Sequence, residues 1–311
     1  MKTQARKSET LRFHKRQLLR VLTHVRDNLD EPISLPEAAC LACLSQFHFH
    51  RVFRVMTGEP LMALVRRLRL ERSAVALRDT RRQVIDLALE AGFDSHEAYT
   101  RAFRAAYSLS PSVFRRRPGA SVLLNAPSGV HYAPPGVPVA DFRTSHARKP
   151  SMNVEITTLP RLRVAYVRHV GPYAECGTAW DTLCTALGCQ GHLCGPVRFF
   201  GLSYDDPLST PASELRYEAC ITVDEGFRAS GKVQVKEIGG GEYAEVMHHG
   251  PHNHLSNTYD ALLGQWLPRS GRQLRDEPAL EEYLNSPENT APEDLLTVIR
   301  AALSPKLPQT S

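Results

Sequence analysis

The chain of 311 residues is long enough for two domains of ordinary size, each with its own apolar core. No stretch approaches the roughly 18 apolar residues of a membrane span, and the basic N-terminus leads into no signal-type apolar run, so we expect a cytoplasmic protein without a membrane partner. The net charge of +5 is unevenly distributed, because residues 1–120 hold 22 Lys and Arg against 12 Asp and Glu, whereas residues 151–311 hold 13 against 20. The basic front predicts a polyanionic partner, and the acidic back predicts a different task.

The cysteines and histidines do not have the spacing of a metal site. Cys40 and Cys43 form a single CxxC among small apolar residues on a predicted helix, for which core packing is the favoured interpretation. His248 and His249 are neighbours on a predicted strand, so their side chains point to opposite faces. We therefore expect no metal and no other cofactor.

Residues 1–117 have the periodicity of short amphipathic helices joined by tight turns. Ser34 stands three residues before Glu37, which is the capping-box pattern that opens a helix. After a turn, a further helix is predicted over residues 46–56, and Gly58 follows it. Together these elements predict a helix-turn-helix unit.

A second helix-turn-helix unit repeats the first after 50 residues. The identical positions are Ala38, Ser45, Arg51, Phe53 and Arg54, which meet Ala88, Ser95, Arg101, Phe103 and Arg104. Between the units, apolar and arginine residues from Leu61 to Val75 predict one linking helix that fixes their separation. The front of the chain is thus predicted to be an all-α tandem helix-turn-helix domain over residues 1–117.

These motifs resemble the signature of the AraC/XylS regulators, over residues 14 to about 117. The matching residues are Leu44-Ser45-Gln46-Phe47-His48-Phe49-His50-Arg51-Val52-Phe53 with Gly58, and Ala88-x3-Gly92-Phe93-x5-Tyr99-x-Arg101-x-Phe103. The closing residues 110–115 also fit, whereas Ser108 stands where a glycine is usual. The resemblance implies a transcription regulator that binds double-stranded promoter DNA.

The two helices that would enter the major groove each carry four candidate contact residues, on the face opposite their core phenylalanines. These candidates are Gln46, Phe47, His50 and Arg51 in the first helix and His96, Glu97, Thr100 and Arg101 in the second. Arg51 and Arg101 are the strongest candidates, since a guanidinium pairs bidentately with guanine. For Glu97 two interpretations remain open, acceptance of a bond from a cytosine amino group or repulsion of phosphate.

Residues 118–152 are rich in proline and glycine and have little apolar periodicity, which predicts a linker. After it, residues 153–311 contain a strand, turn and helix that recur with an offset of 79 residues, so that Gly171-Pro172 matches Gly250-Pro251. This repeat predicts an α+β domain in which two pseudo-symmetric halves join one antiparallel sheet with helices and leave a groove between them.

Motifs of this second domain resemble the GyrI-like small-molecule-binding domain, over residues 153 to about 303. They are Tyr204-Asp205-Asp206-Pro207, Glu214-Leu215-Arg216-Tyr217-Glu218-Ala219-Cys220, Gly239-Gly240-Gly241-Glu242-Tyr243, Trp266-Leu267-Pro268-x-Ser270-Gly271 and Leu280-Glu281-Glu282-Tyr283-Leu284-Asn285. At the end the chain departs from the family, because Thr297-Val298-Ile299-Arg300 replaces an acidic-then-aromatic strand.

The resemblance implies a groove that accepts a small organic effector, often cationic, through aromatic walls and a carboxylate. The candidate wall residues are Tyr166, Phe200, Tyr204, Tyr217, Trp266 and Tyr283. Glu218 or Glu282 is the candidate counter-charge, and Glu218 is favoured because a strand within the sheet would hold it rigidly.

The sequence therefore predicts a regulator that is not an enzyme, in which a small effector changes how the front domain occupies or uses a promoter. Two alternatives remain open. One is a GyrI-like hydrolase with an attached DNA-binding domain. The other is a ligand-independent DNA binder whose back half contacts RNA polymerase or sequesters compounds.

Overall fold

The computed structural model describes the backbone of residues 2–144 and 152–305 and the side chains of residues 10–144 and 152–305. Contacts divide the chain into two compact units. The N-terminal unit comprises residues 13–43 and 53–146. The C-terminal unit comprises residues 147–311 together with residues 1–12 and 44–52.

The predicted tandem helix-turn-helix architecture is confirmed. In the described residues up to 117 the helices are α1 (Lys2–Asp27), α2 (Leu35–Leu41), α3 (Gln46–Thr57), α4 (Leu61–Asp79), α5 (Val84–Glu90), α6 (His96–Tyr107) and α7 (Pro111–Arg115). The pair α2 and α3 forms the first unit of the repeat, α5 and α6 form the second, and α4 is the predicted linking helix.

Side-chain caps explain where two of these helices begin. Ser34 Oγ accepts a 3.3 Å hydrogen bond from the backbone N–H of Glu37 at the start of α2. Ser95 Oγ accepts a 3.1 Å bond from Ala98 N–H at the start of α6. The cap at Ser34 confirms the capping box predicted from the sequence. Helix α6 ends at Ser108, which adopts the left-handed conformation with φ of 57°.

Within the predicted linker, residues 124–132 are hydrogen-bonded to α4. The buried Glu71 carboxylate on α4 accepts hydrogen bonds from the backbone N–H groups of Leu124, at 3.1 Å, and Tyr132, at 2.8 Å. Arg67 Nη1 donates to Val130 O at 2.9 Å. These buried charges satisfy backbone groups of a segment that has no regular secondary structure of its own. Residues 145–151 of the predicted linker lie outside the described residues.

The C-terminal unit contains a closed, antiparallel six-stranded barrel, consistent with the predicted α+β class. The strands are β1 (Glu155–Val170), β2 (Phe199–Ser203), β3 (Arg216–Thr222), β4 (Gln234–His249), β5 (Ala279–Tyr283) and β6 (Leu296–Ala302). Their order around the barrel is β1-β3-β2-β5-β6-β4.

The predicted pseudo-symmetry is also present. Strands β4, β5 and β6 repeat β1, β2 and β3 with an offset of 79 or 80 residues. Helix α8 (Gly177–Cys189) follows β1, and the equivalent segment after β4 consists of α9 (Leu255–Tyr259), a π-helical segment (Asp260–Trp266) and α10 (Leu267–Ser270). The two halves meet along the long β1–β4 pairing.

The two faces of the sheet have different surroundings. Apolar side chains from all six strands line the inside of the barrel, among them Leu159, Phe200, Cys220, Tyr243, Leu280 and Ala302. The other face packs against α8 through Ala165, Tyr217, Ile221 and Leu183. Because strand side chains alternate, neighbouring residues on β3 or β5 lie on opposite faces. Among the described helices, none is both long enough and apolar enough to cross a membrane.

Candidate functional site

Helix α6 turns its predicted DNA-contacting residues away from the core. Its buried side consists of Tyr99 and Phe103, which pack in the same apolar cluster as Phe114. The four predicted residues lie elsewhere on the helix: His96, Glu97 and Arg101 are exposed, and Thr100 is half-buried. The amphipathic arrangement expected from the sequence is therefore present in α6.

Helix α3 places its four predicted residues differently. Gln46 is exposed, Phe47 and His50 are half-buried, and Arg51 is only 3% exposed. The Phe47 ring centroid lies 5.6 Å from that of Tyr204 in an edge-on contact. In this conformation Phe47, His50 and Arg51 are therefore not turned to solvent, because residues 44–52 are packed within the C-terminal unit.

Arg51 makes two close contacts in that unit. Its Nη2 donates a 3.0 Å hydrogen bond to the backbone oxygen of Asp205. Its guanidinium carbon lies 4.1 Å from the ring centroid of Tyr259, which is the geometry of a cation–π interaction. The Tyr173 hydroxyl also donates to Asp205 O, at 3.0 Å. Arg51 is therefore held between an oxygen acceptor and an aromatic face.

Two histidines of α3, His48 and His50, lie near Arg51. Burial, and after it the positive charge of Arg51, lowers the pKa of His48 to about 3, against the opposing effect of a hydrogen bond with the backbone of Glu277. Burial also lowers the pKa of His50, against the opposing effect of Asp206 and Asp205. His48 is therefore neutral near pH 7.

A buried carboxylate, Glu281 on β5, lies on the sheet face that packs against α8, and it is 3% exposed. Its Oε1 accepts 2.7 Å hydrogen bonds from Ser203 Oγ and from the Tyr259 hydroxyl. Its Oε2 accepts a 2.7 Å bond from the Tyr283 hydroxyl. Among the described residues it has no ion-pair partner within 4.0 Å. Glu281 is therefore a buried acid held by hydroxyl donors rather than by a cation.

A chain of hydrogen-bonded aromatic residues leads to this carboxylate. Trp180 Nε1 on α8 donates to the Tyr217 hydroxyl at 3.2 Å, and the Tyr217 and Tyr283 hydroxyls are 3.0 Å apart. Because Tyr283 donates its proton to Glu281, Tyr217 is the donor to Tyr283. The Trp180 ring centroid lies 5.8 Å from that of Tyr283, and the His252 ring centroid lies 4.9 Å from it. We call Glu281, Trp180, Tyr217, Tyr259 and Tyr283 the Glu281 cluster.

Gly201 allows the hydroxyls of this cluster to approach the sheet. It lies opposite Glu281 in the β2–β5 pairing. A Cβ added there would lie 2.4 Å from the Tyr283 oxygen and 2.5 Å from the Tyr217 oxygen. Any side chain at this position would therefore displace the two tyrosines.

The tyrosines of the cluster are donors that keep their protons. Burial, and after it the negative charge of Glu281, raises the pKa of Tyr217, Tyr259 and Tyr283 well above the usual value. The cluster therefore presents neutral hydroxyls, aromatic faces and one carboxylate, which together suit an organic cation.

The predicted ligand residues separate into two groups. Tyr217 and Tyr283 belong to the Glu281 cluster, whereas Glu218 lies on the opposite face, as alternation along β3 requires. Glu218 accepts hydrogen bonds from Arg168 and Lys236 and a 2.8 Å bond from the Tyr204 hydroxyl. Burial opposes its ionisation, but the bonds and charge of Lys236, with Arg168 and Tyr204, outweigh burial and lower its pKa. This counter-charge is thus already neutralised by the chain's own cations.

The remaining predicted residues are also apart from Glu281. Glu282 pairs with Arg198 at 2.6 Å and with Arg300, and these bonds outweigh burial to lower its pKa. Phe200 is fully buried inside the barrel. The Tyr166 hydroxyl donates to Gln234, and the ring lies 4.7 Å from Lys236 Nζ. Trp266 is half-buried at the end of the π-helical segment.

Sequence reasoning missed Glu281, Tyr259 and Trp180. The signal for Glu281 was available, because residues two apart on a strand share a face, and Glu281 is two residues before Tyr283. Tyr259 and Trp180 lie at helical positions that serve core packing equally well, so no sequence signal distinguished them.

No group of side chains in the described part of the chain has the arrangement of a metal site. His248 Nδ1 is 2.7 Å from Thr258 Oγ1 and so has a local partner. Cys40 and Cys43 are exposed, so the interpretation of both as core residues is wrong. They lie at the end of α2 and in the turn after it, on the outside of the helix pair.

Comparison with known proteins assigns both parts of the chain. A family model described as a GyrI-like small molecule binding domain matches residues 152–303, and one described as a helix-turn-helix domain matches residues 38–117. Over 98 residues the chain is 41% identical to the Right origin-binding protein of Escherichia coli (strain K12), a match that covers 32% of this chain and 34% of that protein. The chain therefore spans about a third of the length of that relative.

Two further matches cover more of the compared protein. The Transposon Tn10 TetD protein of Escherichia coli is 35% identical over 104 residues, which cover 33% of this chain and 75% of that protein. The crystal structure of the EcmrR C-terminal domain is matched with a TM-score of 0.41 at 20% identity, covering 50% of this chain and 99% of that one.

Proposed function

Since the chain belongs to the AraC/XylS family of transcription regulators and carries a C-terminal GyrI-like domain, we propose that it couples promoter binding to a small organic cation bound at the Glu281 cluster. The observation that carries this proposal is Glu281 itself, a carboxylate that is 3% exposed and has no ion-pair partner among the described residues. A buried carboxylate without a cation is costly, and an organic cation would offset that cost.

On the DNA side, we propose that α3 and α6 enter adjacent major-groove segments. Arg101 is exposed on α6 and is the residue we expect to read a base edge, with His96, Glu97 and Thr100 beside it. In α3 the corresponding residues are Gln46, Phe47, His50 and Arg51. The excess of basic residues in the front of the chain supplies phosphate attraction.

On the effector side, we propose that the cation lies against the rings of the cluster with its charge directed to Glu281. The raised pKa values of Tyr217, Tyr259 and Tyr283 favour binding over catalysis, because protonated phenols donate hydrogen bonds but are poor nucleophiles. A role in contact with RNA polymerase is part of the same proposal, since a regulator acts through the transcription machinery.

The effector site is tested by calorimetry with benzamidine, an aromatic amidinium, on the full chain. Wild type is expected to bind, and Glu281→Gln is expected to lose at least tenfold in affinity because it removes the charge without changing the shape. Glu218→Gln is the matched control, since it changes the other buried acid on the opposite sheet face. Equal affinity in wild type and Glu281→Gln, with loss only in Glu218→Gln, would move the site to the inside of the barrel.

The DNA side is tested with a duplex selected from a random library by the full chain. Arg101→Ala is expected to lose roughly 1–3 kcal/mol of specific affinity, which is the value of a bidentate base contact. The exposed Arg161 on β1 provides the control variant Arg161→Ala. Unchanged binding by Arg101→Ala would show that α6 does not read the DNA through this residue.

A further inference from the structure

Arg51, on the helix proposed to read DNA, is buried beside the proposed effector site. It is 3% exposed and lies among residues 44–52, which belong to the C-terminal unit. An arginine that is to contact a base edge must be accessible to DNA. The conformation described here is therefore one in which Arg51 cannot read DNA.

The side chain that occupies the site has the chemistry of the proposed effector. The Arg51 guanidinium lies 4.1 Å from the Tyr259 ring centroid, and the hydroxyl of that same tyrosine donates to Glu281 Oε1 at 2.7 Å. Tyr259 thus joins a planar cation on its face to a buried carboxylate at its hydroxyl. The Asp205 backbone oxygen accepts the 3.0 Å bond from Arg51 and completes the polar side of the contact.

The neighbours of Arg51 on α3 fit the same surface. The Phe47 ring meets Tyr204 edge-on at 5.6 Å, and Asp205 and Asp206 act electrostatically on His50. The contact therefore uses Phe47, His50 and Arg51, which are three of the four α3 residues proposed to contact DNA. DNA and the C-terminal unit compete for one set of side chains.

We infer that the C-terminal unit masks residues 44–52 of α3, with Arg51 as an internal cation on the Tyr259 ring of the Glu281 cluster, and that a planar guanidinium- or amidinium-type effector displaces it. This inference rests on the proposed function, because it names the ligand class and the regulation of the same site. Displacement of Arg51 exposes α3 to DNA. By linkage, DNA that captures α3 also opens the site to the effector.

Only molecules in the open state bind the effector. The apparent affinity therefore equals the affinity of the open state multiplied by the fraction of molecules that are open. If about one molecule in ten is open, removal of the internal cation raises the apparent affinity about tenfold. Arg51→Ala is expected to show this gain with benzamidine in calorimetry on the full chain. Arg275→Ala is the matched control, because Arg275 lies 5.1 Å over the ring of Tyr243 in the same unit but away from Glu281.

A second measurement needs no ligand. Tyr259→Leu removes the aromatic face beneath Arg51 and keeps an apolar side chain. In this variant, hydrogen exchange of the peptide covering residues 44–52 is expected to accelerate at least tenfold. Tyr166→Leu, which removes the tyrosine ring beside Lys236, is expected to leave this peptide protected. Tyr259→Leu is also expected to bind the selected duplex more tightly than wild type.

The outcomes separate the two proposals. Equal benzamidine affinity in wild type and Arg51→Ala, with binding lost in Glu281→Gln, overturns the mask and leaves the effector site in place. Unchanged exchange of residues 44–52 in Tyr259→Leu overturns the mask whatever the ligand. Faster exchange without benzamidine binding in any variant supports the contact and overturns the assigned ligand class.

Discussion

The Tyr259 hydroxyl donates a 2.7 Å hydrogen bond to Glu281 Oε1, and both side chains are almost completely buried. This bond connects the segment after β4 to the centre of β5. A buried carboxylate that loses a donor retains its desolvation cost, so such a bond contributes more than an exposed one.

Tyr259→Phe tests that bond while keeping the ring beneath Arg51. We expect the free energy of unfolding of the C-terminal unit to fall by about 1–3 kcal/mol, the usual cost of leaving a buried polar group without one of its hydrogen-bond partners. The chain contains two tryptophans, Trp180 and Trp266, both in this unit, so tryptophan fluorescence in urea follows its unfolding selectively.

Tyr166→Phe is the control, because the Tyr166 hydroxyl donates its hydrogen bond to Gln234 near the surface. Equal stability of Tyr259→Phe and wild type would contradict a stabilising hydrogen bond from Tyr259 to Glu281.

Glu71→Gln tests the attachment of the segment after α7 to α4. Glu71 accepts bonds from Arg67, at 3.2 Å, and from backbone groups of Leu124 and Tyr132. Removing its charge weakens the bonds to Arg67, Leu124 and Tyr132 but leaves Arg67 paired with Glu59, so we expect a loss of about 1–3 kcal/mol in the N-terminal unit. Far-UV circular dichroism in urea measures this loss, and limited proteolysis should cut near residues 124–132.

The control is Glu90→Gln. Glu90 forms an exposed pair with Arg82, and its replacement should cost less than about 1 kcal/mol. A small effect of Glu71→Gln would mean that the segment is held by apolar contacts instead.

Local periodicity made the helices predictable, and the internal repeats made both domains predictable. Helix α2 begins directly after Ser34, as the capping-box pattern predicts. The offset of 79 residues predicted the relation between β1 and β4. These features depend on residues close in sequence or on direct repetition, which one sequence contains.

The Glu281 cluster depends on pairings between distant strands. Tyr217 on β3 and Tyr283 on β5 meet only because β2, with Gly201, lies between them. The sequence analysis combined Tyr217 with Glu218 and Tyr283 with Glu282, which are neighbours that a strand directs to opposite faces. The burial of Arg51 was equally unpredictable, because the amphipathic pattern of α3 identifies a polar face but not what covers it.

Ser108→Gly tests the strained end of α6. Ser108 has φ of 57°, a conformation that glycine adopts without the penalty of a Cβ. We expect the N-terminal unit to gain about 1 kcal/mol in unfolding free energy, measured by circular dichroism in urea. Ser112→Gly within α7 should instead destabilise by roughly 0.5–1 kcal/mol. A loss of stability in Ser108→Gly would mean that the serine side chain makes a compensating contact.

His48→Leu tests the pH dependence of the contact made by α3. The folded pKa of His48 is lowered to about 3 from an ordinary value of 6.5, first by burial and then by the charge of Arg51. Below pH 6.5 the unfolded chain therefore binds a proton that the folded chain does not bind, so stability is full above pH 6.5 and is lost as the pH falls towards 3. The slope for one such group approaches about 1.4 kcal/mol per pH unit.

Leucine binds no proton. Between pH 6.5 and 4.5 the unfolding free energy of His48→Leu should therefore fall less steeply than that of wild type, by about 1 kcal/mol per pH unit, as measured by tryptophan fluorescence. Met247→Leu, at an exposed position with no titratable group, should retain the wild-type slope. Parallel slopes for His48→Leu and wild type would show that His48 is accessible to protons in the folded chain, and hence that α3 is not held against the C-terminal unit in solution.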